Sequence, residues 1–119
     1  MAITVTNPSP AKFGFFLNAT SADASGCEEL KAAVAGKSII VDHLTINNGA
    51  GGAQSITIGA GKTGAAVTTA LLGPVAMAAN TSLTWNFLNG GMKLTAATAL
   101  TIDSSSNTDL SIFASGRVE

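Results

Sequence analysis

The chain has 119 residues, of which 46% are hydrophobic and 11% are charged, and its formal net charge is −1. This length predicts a single domain over residues 1–119, and the normal hydrophobic content with few charges argues against a disordered chain. The six basic residues are spread singly along the sequence, and no apolar run reaches the ~18 residues that a membrane-spanning helix needs. We therefore expect that the protein binds neither nucleic acid nor a membrane.

Cysteine content, the first residues and the low charge bear on where the protein acts. Cys27 is the only cysteine, so an intrachain disulfide is excluded. The first ten residues, MAITVTNPSP, lack the basic and apolar regions of a secretion signal, so we expect synthesis in the cytoplasm without export. Typical globular proteins have about 25% charged residues. The weakly charged surface predicted here suits lasting contacts between subunits, because the centres of interfaces are depleted in charge.

The predicted elements begin with a short strand in which Ile3 and Val5 alternate with threonines. Two prolines end this strand, and we hypothesise that residues 1–10 form an extended arm. In that hypothesis Ile3 and Val5 contact a neighbouring protein subunit. Three phenylalanines follow and are expected to anchor the chain to the core: Phe13, Phe15 and Phe16. The composition of Asn18–Gly26 predicts a loop.

The segment Cys27–Ala35, with the sequence CEELKAAVA, predicts one short helix. Glu28 and Glu29 would lie in its first turn, where carboxylates suit the positive end of the helix dipole. Leu30 and Val34 are four residues apart, so they would form one apolar stripe facing the sheet.

Residues 38–59 predict a β-hairpin around which the rest of the chain is organised. Two runs rich in β-branched residues, Ile39–Ile46 and Ile56–Ile58, flank the Gly- and Asn-rich turn Asn47–Gly52. Strict alternation in the first run would place a carboxylate among aliphatic side chains. We therefore predict a β-bulge near Asp42–His43, which would redirect these side chains.

The remaining sequence predicts short strands separated by turns. These strands are Ala65–Val75, Ser82–Leu88, a return over Met92–Ala96, Ala99–Ile102 and Leu110–Phe113. Pro74 predicts an edge strand or a strand end. Leu83, Trp85 and Phe87 share one face of the clearest strand, and Asn89–Gly91 is expected to turn the chain back. The sequence thus predicts an all-β, jelly-roll-like antiparallel β-sandwich of about eight strands with one short helix.

Three motifs with possible chemistry have simpler structural explanations. Gly59–Thr63, GAGKT, resembles the end of a phosphate-binding loop, but Ile56 stands where that motif requires glycine, so a turn between strands is favoured. Asp42–His43 offers neither a nucleophile nor enough metal ligands. Trp85 would stack on a sugar only if it faced solvent, and its strand pattern favours the core. We expect no enzyme activity, catalytic residue, metal, cofactor or small-molecule substrate.

Two stretches of the chain carry a family resemblance. They are AGKSIIV at Ala35–Val41 with Leu44–Ile46, and SLTWNF at Ser82–Phe87 with GGMKL at Gly90–Leu94 and ALTI at Ala99–Ile102. Together they resemble small jelly-roll bacteriophage virion proteins, above all the capsid decoration, or cement, proteins that sit as trimers on the capsid. These motifs contain core and turn positions and no active site.

The resemblance implies a non-enzymatic structural protein of the virion. It implies a homotrimer on the capsid surface that contacts the major capsid protein and stabilises the assembled shell. Because similar sandwiches also bind sugars, the alternative is a carbohydrate- or receptor-binding module of a phage tail or fibre. A minor tail or head-completion protein is a third possibility. A solvent-facing aromatic ring would favour sugar binding.

Overall fold

The computed structural model describes residues 3–6, 14–21, 26–49, 51–105 and 110–119. Within these ranges the backbone forms ten strands and no helix. The strands are β1 Ile3–Thr6, β2 Gly14–Ser21, β3 Gly26–Lys31, β4 Ile39–Asn48, β5 Gln54–Thr63, β6 Ala66–Met77, β7 Thr81–Asn86, β8 Met92–Lys93, β9 Leu100–Ser104 and β10 Leu110–Val118.

The strands form two antiparallel sheets. Sheet A has the order β1-β2-β10-β4-β7, with the short β8 also paired to β4, and sheet B has the order β3-β9-β5-β6. Apart from β1 and β8, the pairs are nested: β2 with β10, β3 with β9, β4 with β7, and β5 with β6. In this nested pattern each strand of the first half of the chain pairs with its counterpart counted back from the last strand, which is the arrangement of a jelly roll. The predicted fold class is therefore confirmed.

The core lies between the sheets and is almost entirely aliphatic. Strands β2 and β10 show the expected alternation, because every second side chain is buried while its neighbours face solvent. The buried apolar cluster comprises Phe15, Leu17, Ala19, Leu30, Ile39, Val41, Leu44, Ile46, Ile56, Ile58, Ala60, Met77, Leu94, Leu100, Ile102, Leu110, Ile112 and Ala114. The inner faces of sheets A and B thus pack together as one hydrophobic layer.

The predicted helix at Cys27–Ala35 is wrong, because β3 occupies Gly26–Lys31. The register between β3 and β9 shifts so that Leu30 is the extra residue of a β-bulge. The bulge buries both Cys27 and Leu30, which are three residues apart. The predicted helix paired Leu30 with Val34, but Leu30 is buried at the bulge whereas Val34 lies beyond β3 and is 36% exposed, so the four-residue spacing indicated the wrong element.

The predicted loop at Asn18–Gly26 is wrong at both ends. Strand β2 continues to Ser21, and Gly26 begins β3. Residues 22–25 lie outside the described part of the chain. Polar composition indicated a loop, yet Asn18 and Thr20 of β2 lie on the solvent-facing side of a sheet, where polar residues are expected.

The predicted hairpin at residues 38–59 is also wrong, because β4 belongs to sheet A and β5 to sheet B. The connection between them is an arch that passes from one sheet to the other. Asn48 is fully buried in this arch, and its Nδ2 donates to the carbonyls of Gly52 and Ala78, both at 3.1 Å. Gln54 Nε2 donates to Asn48 Oδ1 at 2.8 Å, which links the two strand ends.

The predicted bulge at Asp42–His43 is confirmed. Ser115 of β10 pairs with His43, whereas the next residue, Gly116, pairs with Val41, so Asp42 has no partner in β10. The Asp42 carbonyl instead accepts a hydrogen bond from the Phe87 amide at 2.9 Å. This bulge sends the Asp42 side chain into solvent.

Asn89–Gly91 does not turn the chain back as predicted. Strand β7 pairs with His43–Asn48, and β8 pairs with Ile40–Val41 on the same edge of β4. Both are antiparallel to β4, so they run in the same direction, and residues 87–91 form an excursion between them. The positive φ angles of Asn89, Gly90 and Gly91 permit this excursion.

Candidate interaction surface

The solvent-facing side of sheet A carries an uncharged surface, which we call the outer face. Paired residues of an antiparallel sheet share one face. Three rows form the outer face: Phe16, Ser115, His43 and Asn86; then Thr6, Asn18, Phe113, Thr45 and Thr84; then Thr4, Thr20, Ser111, Asn47 and Ser82. All are exposed or half-buried, and none is Asp, Glu, Lys or Arg.

Two phenylalanine rings lie on the outer face, Phe113 in its middle row and Phe16 at the end of its first row. Phe16 is 36% exposed and Phe113 is 41% exposed, and their ring centroids are 6.5 Å apart. The imidazole of His43 meets the Phe113 ring edge-on at 5.8 Å. Aromatic side chains contribute much of the binding energy when an interface buries them, so these rings are the expected centre of a contact.

Hydrogen bonds within and between strands hold the polar side chains of the outer face in place. His43 Nδ1 lies 2.6 Å from Asn86 Oδ1, and His43 Nε2 lies 3.1 Å from Thr45 Oγ1. Because an amide oxygen only accepts, we assign the proton to Nδ1, which leaves Nε2 to accept from the threonine hydroxyl. Ser82 Oγ donates to Asn47 Oδ1 at 2.9 Å in the same way.

Thr45, His43 and Asn86 follow the order nucleophile, base and orienting group found in hydrolytic triads. A triad also needs an oxyanion hole and a substrate cleft. These three residues lie on the open face of a paired sheet, whose amides already bond to neighbouring strands. The arrangement therefore stiffens the surface and does not meet the geometric requirements of acyl transfer.

A cluster of charged residues, which we call the charged end, borders the outer face. Arg117 binds Asp42 at 3.2 Å and Glu119 at 3.1 Å, and it donates to the Gly90 carbonyl at 2.9 Å. Lys93 lies 3.9 Å from Glu119. All four side chains are substantially exposed, so each ion pair contributes at most about 1 kcal/mol to stability.

The two residues that the sequence assigned to a subunit contact, Ile3 and Val5, differ in exposure. Ile3 is half-buried and packs against the core, whereas Val5, on the same edge strand β1, is 39% exposed. Residues 1–2 and 7–10 lie outside the described part, so the extended arm stays a prediction. Phe15 anchors β2 in the core as expected, Phe16 faces solvent, and Phe13 lies outside the described residues.

Two other candidate sites, Trp85 and the Gly59–Thr63 motif, can be judged from where they lie in the fold. Trp85 is half-buried and packs against the core, so the core interpretation is confirmed. The turn predicted at Gly59–Thr63 is wrong, because strand β5 continues to Thr63 and the turn begins at Gly64, with φ of +63°, before β6. A phosphate-binding loop would lead into a helix there, and a strand follows instead.

The outer-face phenylalanines are the residues that sequence reasoning missed. Phe15 and Phe16 are adjacent on a strand, so they must point to opposite faces. Phe113 stands between Ile112 and Ala114, which are both buried. The period of two therefore contained the signal for both exposed rings.

Comparison with known proteins gives no match, either to protein-family models or to curated proteins. Among the described residues, no helix is long and apolar enough to cross a bilayer. The same residues contain no cluster of three or more His, Cys, Asp or Glu side chains able to hold a metal ion.

Proposed function

We propose that this protein is a non-enzymatic bacteriophage structural protein that decorates the capsid surface as a homotrimer. The observation that carries the proposal is the outer face, on which exposed Phe16 and Phe113 are surrounded by uncharged polar side chains. Protein interfaces combine aromatic residues and few charges at the centre with a polar rim. The jelly-roll fold and the two resembling stretches support the same class of protein.

The size of the outer face suggests how such a protein binds. Five strands ~4.8 Å apart and three rows ~6.7 Å apart span roughly 500 Å² in projection. A stable interface buries about 800 Å² on each partner, so one outer face would bind the shell weakly. Three faces held in one trimer would bind together with much higher avidity. Because the trimer binds the assembled shell and not free capsid subunits, it stabilises the shell by mass action.

Sedimentation with capsid shells tests this proposal. The chain is mixed with shells assembled from the major capsid protein of the phage that encodes it, and the bound fraction and the shell melting temperature are measured. We expect binding and a raised melting temperature. A Phe16→Ser, Phe113→Ser double variant should bind at least about tenfold more weakly, because it loses apolar burial at the centre of the contact.

A matched control is available at Leu88, which is 80% exposed and lies on the excursion between β7 and β8. Leu88→Ser removes exposed apolar surface elsewhere, so it should bind as the unchanged chain does. Failure of the unchanged chain to bind shells would contradict the proposed function. Equal binding by the double variant would contradict the assignment of the outer face.

Carbohydrate or receptor binding is the second candidate, and the same exposed rings favour it. Sugars stack on solvent-facing aromatic rings, and Asn18 and Thr45 beside Phe113 offer hydrogen-bonding groups. Ligand sites are usually concave, whereas the outer face is the side of a sheet, which makes this the weaker candidate. Specific binding on a glycan array, lost in Phe113→Ala, would replace the capsid proposal.

A further inference from the structure

The open sides of the sandwich differ in how their edge strands are protected. Natural edge strands avoid unwanted pairing by carrying charges, bulges or prolines, or by being short. Strand β3 is an edge strand of sheet B, and it is protected by the charged residues Glu28, Glu29 and Lys31 and by a bulge. Strand β6, at the other edge of sheet B, has twelve residues and no charge.

The protection of β6 is confined to its second half. Its register with β5 shifts near Leu71 and again near Gly73–Pro74, and Pro74 has no amide proton. Residues 66–70 pair regularly with β5 on one edge. Within the described residues, no strand pairs with their other edge. Unpaired amides and carbonyls in a row of this kind are complementary to another extended strand.

We infer that the free edge of β6 pairs with β1 of a second copy of the chain, and this inference rests on the homotrimer of the proposed function. A three-fold ring requires two different surfaces on each subunit, whereas pairing of β6 with itself would give a two-fold dimer. The opposite side of the sandwich offers β1 and β3. Because β3 is charged and bulged, the uncharged β1 is the complementary edge.

Apolar residues at the two edges fit this pairing. Val5 on β1 is 39% exposed, and Val67, within the regular part of β6, is half-buried. Strand addition would cover these side chains while it satisfies the backbone groups. The four residues of β1 are one fewer than the five of the regular part of β6, residues 66–70, so β1 can pair along most of it.

Light scattering coupled to size-exclusion chromatography tests the inference. The unchanged chain should have about three times the mass of one 11.8 kDa subunit. Ala70→Lys on β6 and Val5→Lys on β1 should each give a monomer, because a buried lysine at either edge opposes pairing. Ser111→Lys, in the middle of the outer face, is the control and should remain a trimer.

Amide hydrogen exchange of the unchanged chain gives a second measurement that does not depend on a variant folding. Amides of residues 66–70 should exchange faster when the trimer is diluted to monomer. A monomeric or dimeric unchanged chain, a trimeric Ala70→Lys variant, or exchange independent of dilution would overturn the inference. Shell sedimentation would still decide the proposed function separately.

Discussion

Gly116 lies where β10 passes the bulge of β4, and it leaves no room for a side chain. A methyl group there would overlap the main-chain carbonyl of Ile40 and lie 3.0 Å from Val41 Cα. Gly116→Ala should therefore lower the free energy of unfolding by about 1–3 kcal/mol, as overpacking does. Urea denaturation measures this change.

Gly51→Ala is the matched control for Gly116→Ala. A methyl group at Gly51 would meet nothing within 4 Å, and its φ lies outside the left-handed region. The unfolding free energy should change by less than about 1 kcal/mol. Equal effects of the two substitutions would show that the close approach at Gly116 does not constrain the fold.

Cys27 should make stability depend on alkaline pH. Burial raises the pKa of the Cys27 thiol, although a hydrogen bond with Thr101 opposes the shift. The folded state thus favours the protonated thiol. The contribution of the buried thiol to the free energy of unfolding is therefore fully present below the ordinary thiol pKa of about 8.5. It is lost as pH rises through the higher pKa of the folded state.

The variant Cys27→Ala isolates this contribution. Urea midpoints of the unchanged chain should fall more steeply above pH ~8.5 than those of the variant. Alkylation of the native thiol should also be slower than in the unfolded chain, because the thiolate is the reactive form. Parallel pH profiles for the two chains would contradict the argument.

At the scale of elements, the arch between β4 and β5 depends on Asn48. Its buried amide bonds the carbonyls of three residues, Gly52, Met77 and Ala78, and the Gln54 side chain, so Asn48→Ala would leave polar groups without these partners. The expected loss is about 1–3 kcal/mol of unfolding free energy. Asn47→Ala, at an exposed position beside it, should change stability by less than about 0.5 kcal/mol. Similar losses would rule out this role for Asn48.

Local sequence predicted strands well and their partners poorly. Alternation and β-branched residues indicated most strands, and the misplaced carboxylate of Asp42 indicated the bulge. The choice between a hairpin and an arch after Asn48 depends on the sheet that β5 joins, which is decided by strands far away in sequence. The four-residue spacing of Leu30 and Val34 is typical of a helix, yet β3 ends at Lys31 and Val34 is exposed, so spacing alone did not identify the element.

The candidate surface was predictable only in part, because local sequence shows which side chains point outward and does not show which strands are neighbours. Period-two alternation places Phe16 and Phe113 outward, although sequence alone does not show that β2 and β10 are neighbours. Only the nested pairing of the jelly roll brings these rings together beside His43. Strand neighbours, which are set by the whole fold, therefore create the surface.

At the scale of the whole molecule, charge is divided between separate regions. The outer face has none, whereas the charged end holds Asp42, Lys93, Arg117 and Glu119. Binding through the outer face should therefore respond little to ionic strength. Raising salt from about 0.01 M to about 1 M shortens the Debye length from ~30 Å to ~3 Å, which would weaken contacts made by charged groups.

Shell sedimentation over this salt range distinguishes the two regions. We expect an affinity for the shell that changes by less than about threefold, because apolar burial and neutral hydrogen bonds are not screened. Arg117→Ala should bind as the unchanged chain does at every salt concentration. A steep loss of affinity with salt, abolished in Arg117→Ala, would instead assign shell binding to the charged end. In that case the uncharged outer face, with its exposed phenylalanines, would be left to contacts between subunits.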